Sequence, residues 1–215
     1  YHLTRKSVQL YDCAMMAIVW ERKYFQSAAL DGLQLLHTPC GHVFSPVIRC
    51  NGCQRPVKGQ DVSYSPGPGA AKDNRIKKVR RRSSLPSSIV PSERNVYRNL
   101  VDIVGDRWTA NVIALAFHGY TRFDQLHEEL PVATNILSDR LKFLRERGVM
   151  DAKPYQERPG RYEYYLTDKG WDLYPYFLTL LQWGDRWCDT EGRGQPMRLK
   201  HIPCGGPLHG VVCCD

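Results

Sequence analysis

Long apolar runs are missing from this sequence of 215 residues. Nothing in it approaches the roughly 18 to 20 consecutive apolar residues that cross a bilayer, and no basic start followed by an apolar core marks a secretory leader. These absences predict a soluble, cytoplasmic protein with no membrane partner. A catalytic constellation is missing too. No Ser/His/Asp, Cys/His or paired-carboxylate group stands near the cysteine-rich segments, which argues against an enzyme. Acidic residues are in short supply, with 22 Asp and Glu against 30 Lys and Arg and a net charge of +8. An excess of that sign fits a polyanionic partner. It is also local: residues 72–82 hold seven basic residues and one acid, six of the eight net charges.

The rest is ordinary globular material, 42% hydrophobic and 24% charged, enough for one large or two small domains. Residues 121–167 organise it. Phe123, Leu126 and Leu130 share one face of a short helix, Pro131-Val132-Ala133 makes a turn, and Leu137, Leu141 and Leu144 resume the period. Gly148 supplies the left-handed residue that stops the second helix, and two strands follow around residues 157–160. Helix, turn, helix and hairpin make a winged helix-turn-helix, so the fold class is mainly α with a small β wing, α+β. In that arrangement the second helix enters the major groove. Its outward residues are Thr134, Asn135, Ser138, Asp139 and Lys142, and Arg158 and Arg161 on the wing are candidate phosphate or groove contacts. Asp139 could accept from a cytosine amino group or orient Arg140. The expected partner is double-stranded DNA.

The chain also repeats itself. YHLTRKSVQLYDCAMMAIVWERKYF at the start aligns with YYLTDKGWDLYPYFLTLLQWGDRWC from Tyr164, and one inserted residue later His37, Cys40 and Cys50 fall on His201, Cys204 and Cys214. Each copy reads as wing strand, long helix and Cys/His module. The helices are expected over 8–23 and 171–187 with Thr4 and Thr167 as N-caps. The organisation that follows is 1–60 for the C-terminal part of a first domain, 61–92 for a basic flexible linker, 93–190 for the winged helix-turn-helix and 191–215 for a second, incomplete Cys/His module. The first copy starts half-built, as a piece of a longer tandem protein or a degenerate copy.

Six of the eight cysteines fall in short spacings near histidine and glycine, the pattern of metal ligands rather than disulfides. His37-x-x-Cys40 followed by Cys50-x-x-Cys53 offers one nitrogen and three thiolates to a tetrahedral zinc, with Gly41 and Gly52 easing the turns. His42 competes with His37. The second copy offers His201, Cys204 and Cys214, with Cys213 or His209 as substitutes for a fourth ligand. Cys13 and Cys188 have no such partners and are expected to be buried as small apolar residues. In the linker, Arg80, Arg81 and Arg82 are read as a phosphate-binding arm.

Three stretches, GDRWTANVIALAFHGYTRFDQL, NILSDRLKFLRERGVM and RPGRYEYYLTDKG, resemble the HxlR family of bacterial winged-helix regulators over residues 96–187. The resemblance implies a dimeric, cytoplasmic DNA-binding transcription regulator without catalytic activity, dimerising through the helices that flank the helix-turn-helix. The chain departs at Asp106, where the family has a small residue, and in having Pro91-Ser92-Glu93-Arg94 where thiol-sensing members carry a cysteine. With two copies of the long helix, one chain could build its own pseudo-dimer. A linker of about thirty residues spans roughly 30 Å and holds the copies near millimolar effective concentration. A protein-interaction module that does not read DNA is the other class the fold would serve.

Overall fold

The structure is a computed structural model that describes residues 2–26, 29–70, 95–156, 160–189 and 191–214. The first copy of the repeat contributes α1 (Arg5–Val8), α2 (Tyr11–Tyr24), the hairpin β1 (Leu36–His37) and β2 (His42–Val43), and β3 (Pro46–Cys50), followed by β4 (Val62–Pro66). The winged helix-turn-helix is α3 (Arg98–Val104), α4 (Arg107–Phe117), α5 (Phe123–Glu129), α6 (Thr134–Glu146), and the wing strands β5 (Met150–Gln156) and β6 (Arg161–Leu166). The second copy closes with α7 (Asp168–Trp171), α8 (Tyr174–Trp187), β7 (Met197–His201), β8 (Gly206–Pro207) and β9 (Gly210–Cys214).

Thr4 and Thr167 do cap helices, accepting from Ser7 N and Gly170 N, but each helix is a single turn. The long helices begin three residues later, at Tyr11 and Tyr174. In the second copy Pro175 gives the reason. It has no N–H to continue the α7 ladder and suits the first turn of a new helix.

The two copies pair with each other. β3 and β9 run antiparallel with Pro46 opposite Cys214, Ile48 opposite Val212 and Cys50 opposite Gly210. The repeat sets Ile48 on Val212, so these two counterparts face each other while Pro46 and Cys50 exchange ends with theirs. Such reciprocity is the signature of a two-fold interface, here inside one chain. The helices obey it as well. Trp20 Nε1 donates to the Lys169 carbonyl at 2.9 Å, and Trp183 Nε1, its counterpart, donates to the Lys6 carbonyl at 2.9 Å. Tyr24 bonds Asp172 just as Trp187 bonds Gln9. Met15, Met16, Ile18 and Ile48 of the first copy share a buried cluster with Tyr174 and Leu178 of the second.

The other face of α2 belongs to the helix-turn-helix. Ala17 and Trp20 join Leu100, Ile103, Val112, Leu126, Leu137 and Leu144 in the main core. Glu21, only 1% exposed, accepts from Leu100 N at 2.7 Å and Asn99 Nδ2 at 3.0 Å, satisfying donors at the N-terminus of α3.

Two expectations are corrected. The stretch from 61 is not linker at its start, because β4 pairs with β7, Val62 opposite His201, and Gly67 N and Gly69 N go on to bond Pro196 O and Gln195 O. Alternation of Val62 and Tyr64 with serines suits a strand. Cys13 is buried as expected, whereas Cys188 caps the end of α8 and is exposed. At the cysteine turn the positive backbone angle is that of Gln54 (φ 59), and the Gly52 amide hydrogen-bonds the Cys50 sulfur.

Candidate nucleic-acid interface and metal-binding clusters

α6 is placed by its apolar stripe. Leu137, Leu141 and Leu144 are each at most 1% exposed, and on the opposite side Thr134, Asn135, Ser138, Asp139 and Lys142 all face solvent. Gly148 (φ 66) ends the helix, and Val149 N folds back to the Leu144 carbonyl at 2.9 Å. From there β5 starts with Met150 opposite Leu166, and Thr167 Oγ1 ties the far strand down by donating to the Gly148 carbonyl at 2.7 Å. A third, single-bridge edge forms where Tyr164 N donates to the Thr121 carbonyl at 2.7 Å. The wing thus hangs from both ends of the helix-turn-helix. Arg161 is exposed at the start of β6. Arg158, Arg80, Arg81 and Arg82 lie outside the described residues.

Asp106 has a role that spacing alone could not show. Its Oδ1 accepts from Trp108 N at 3.0 Å and Thr109 N at 3.1 Å, capping α4, and also takes Arg140 Nε at 3.0 Å. Arg140 is therefore oriented from α4, and Asp139 stays exposed. Asp106→Ala should cost about 1 to 2 kcal/mol, mostly the lost cap, since a partly exposed ion pair adds little. Urea unfolding checks this. Asp106→Asn, which retains an acceptor for the cap, should cost visibly less, and equal losses would mean the charge dominates.

The cysteines and histidines form two clusters, and their membership corrects the sequence expectation. Cys50 and Cys53 meet His201 and Cys204, and His37 and Cys40 meet Cys214; in each set the ligand atoms lie within 4.8 Å of one another. Neither of the sets expected from a single copy assembles. The ladder explains the exchange: it carries Cys50 to Gly210, just beyond the second copy's β7–β8 hairpin, and Cys214 to Pro46, just beyond the first copy's β1–β2 hairpin. His42, Cys213 and His209 join neither cluster. Inside the first set His201 is fully buried, its Nδ1 3.3 Å from Cys53 Sγ and 3.5 Å from Cys204 Sγ. In the second, His37 Nδ1 is 3.0 Å from Cys40 Sγ. Either group could hold a metal ion. Gly41 (φ 72) and Gly205 (φ 70) turn the two His-x-x-Cys loops, with Gly41 N and Gly205 N each 2.8 Å from the carbonyl of their histidine.

A cavity of about 560 Å³ opens between α4 and α8, with Phe117, His118, Leu181 and Asp185 among its lining. Burial pushes the His118 imidazole below its ordinary pKa and the Asp185 carboxyl above its own.

Comparison with known proteins bears on residues 103–192, which match the family model described as HxlR-like helix-turn-helix. An HTH-type transcriptional regulator of Mycobacterium tuberculosis is 41% identical over 114 residues, covering 53% of this chain and 72% of its own. YvaP, an HTH-type transcriptional regulator of Bacillus subtilis, is 36% identical over 96 residues, 44% of this chain and 89% of its own. Among solved structures, the reduced form of the regulator YodB from B. subtilis matches at 28% identity and a TM-score of 0.39, covering 43% of this chain and 92% of that one. The extent and identity of the matched relatives, together with the capped helix-turn-helix and wing, show that this chain belongs to the HxlR-like helix-turn-helix family of DNA-binding transcription regulators.

Proposed function

We propose that the chain reads double-stranded DNA with the exposed face of α6, base edges meeting Thr134, Asn135, Ser138 and Asp139 while Lys142 and the wing arginines Arg158 and Arg161 hold phosphates. The observation that carries this is the solvent face of α6 standing directly opposite a fully buried leucine stripe, on a helix stopped at Gly148 and tied to Asp106 through Arg140. Asn suits adenine bidentately, and Lys142 sits one turn from Glu146 at 3.9 Å, a weak surface pair that leaves the ammonium available. The basic run adds Arg80, Arg81 and Arg82 as an arm along the backbone.

In the same reading the protein works in the cytoplasm without membrane contact, and residues 1–60 serve as a first copy of the long helix and Cys/His module that recur after the wing. The paired α2 and α8 replace the helix pairing that a homodimer would make between chains. Zinc, which thiolate and imidazole donors select, is the ion for the Cys/His clusters.

The test is a salt titration of duplex binding. Affinity should fall steeply as salt rises, and neutralising Arg80, Arg81 and Arg82 together should flatten that slope by up to about three while leaving sequence preference unchanged. An unchanged slope would reduce the arm to a spacer. A complete lack of duplex binding would favour the protein-interaction module instead.

A further inference from the structure

We propose that Cys50, Cys53, His201 and Cys204 hold one zinc ion that clasps the two copies of the repeat to each other, so that metal loading and pairing of the copies are one event. The proposal rests on the zinc assignment above and adds to it a ligand set and a consequence.

The donors come from two elements separated by about 150 residues in sequence, yet their ligand atoms lie within 4.8 Å of one another. Zinc–sulfur bonds of about 2.3 Å in a tetrahedron put sulfurs about 3.8 Å apart, so only a small contraction separates this arrangement from a coordinated one. Backbone bonds hold the donor turns in advance. The Cys50 carbonyl accepts from Gln54 N at 2.8 Å, and the His201 carbonyl accepts from Gly205 N at 2.8 Å. Cys50 and His201 are both fully buried, and the His201 Nδ1 points at two sulfurs. Three thiols gathered beside one buried imidazole, with Cys50 buried, Cys53 half-buried and Cys204 exposed, make a poor arrangement for neutral groups, because each sulfur is a weak hydrogen-bonding partner. As three thiolates and a neutral imidazole around a dication it is a closed structural site.

The second cluster is an independent recurrence. His37, Cys40 and Cys214 combine the first copy's His-x-x-Cys with the second copy's cysteine, the mirror of the first exchange. Two clusters that both mix copies follow from the β3–β9 register, in which each strand ends beside the other copy's hairpin. Metal at the first cluster therefore cannot form within one copy. It forms only when the copies are paired, and by linkage it stabilises that pairing.

Cobalt titration of the full chain in a His37→Ala background tests the ligand set, since the second cluster then lacks its imidazole. The tetrahedral cobalt–thiolate spectrum should persist there. Adding His201→Ala, or separately Cys204→Ser at an exposed position, should weaken cobalt binding at least tenfold. A spectrum abolished by His37→Ala alone, or one indifferent to both second-copy changes, overturns the composite site while leaving zinc in place. Absence of retained zinc and of cobalt binding overturns the zinc assignment with it and leaves only hydrogen-bonded thiols. The clasp is tested with a protease site inserted between residues 71 and 94. After cleavage the two fragments should stay associated in zinc and associate at least tenfold more weakly after chelation under reducing conditions. Association unaffected by chelation refutes the coupling.

Discussion

Trp20→Ala should be among the most damaging single changes in this chain, costing about 3 to 5 kcal/mol of stability. The indole is 2% exposed and lies in the core shared by α2 and the helix-turn-helix. Its Nε1 also fastens the Lys169 carbonyl at the head of the second copy, with the Lys169 ammonium 5.5 Å over the ring. The change thus empties a core site and leaves a carbonyl unpaired at once. Trp183→Ala removes the symmetric contact to Lys6 from a half-buried position and should cost clearly less. Urea unfolding of the two variants decides the order. Because α2 and β3 are already occupied by the second copy, the intact protein should sediment as a monomer at micromolar concentration. A wild-type dimer would mean that pairing occurs between chains.

Asn135→Ala should cost about 1 to 3 kcal/mol of binding to the preferred DNA sequence and relax its base preference, because a bidentate contact to a base edge is lost. Lys142→Ala should instead weaken every duplex alike and lower the salt slope by about one. The contrast matters more than either value. Both residues are exposed on α6 and neither touches the leucine stripe, so stability should hold in both variants. Affinities for matched and scrambled duplexes at two salt concentrations separate the two effects. If both variants bind like the parent protein, α6 is not the reading helix.

Local features were legible in the sequence. The stripe of Leu137, Leu141 and Leu144, the stop at Gly148 and the wing strands depend on spacing within one helix or one hairpin, and periodicity reads such spacing directly. The β4 strand is harder to see, because the Pro-Gly pairs after Ser65 mask a segment whose first residues alternate. Long-range pairings were another matter. That Arg140 belongs to Asp106, 34 positions away, is fixed by the packing of α6 on α4. The ligand sets show the limit most clearly: His-x-x-Cys and Cys-x-x-Cys spacing marks every donor but Cys214, which the repeat supplies, yet which half-sites meet depends on a strand register that no local pattern encodes.

The pairing of β3 with β9 also sets a timetable for synthesis. Pro46–Cys50 emerges before its hydrogen-bonding partner Gly210–Cys214, which follows about 160 residues later, a wait of about 8 to 30 s at ordinary translation rates. Over that interval an apolar strand carrying Ile48 stands with an open edge, the kind of surface that recruits a neighbouring chain. Adjacent nascent chains on one messenger would each offer that edge before their own closing strand exists. Expression yield should then respond to translation speed and crowding of ribosomes more than to the stability of the finished fold.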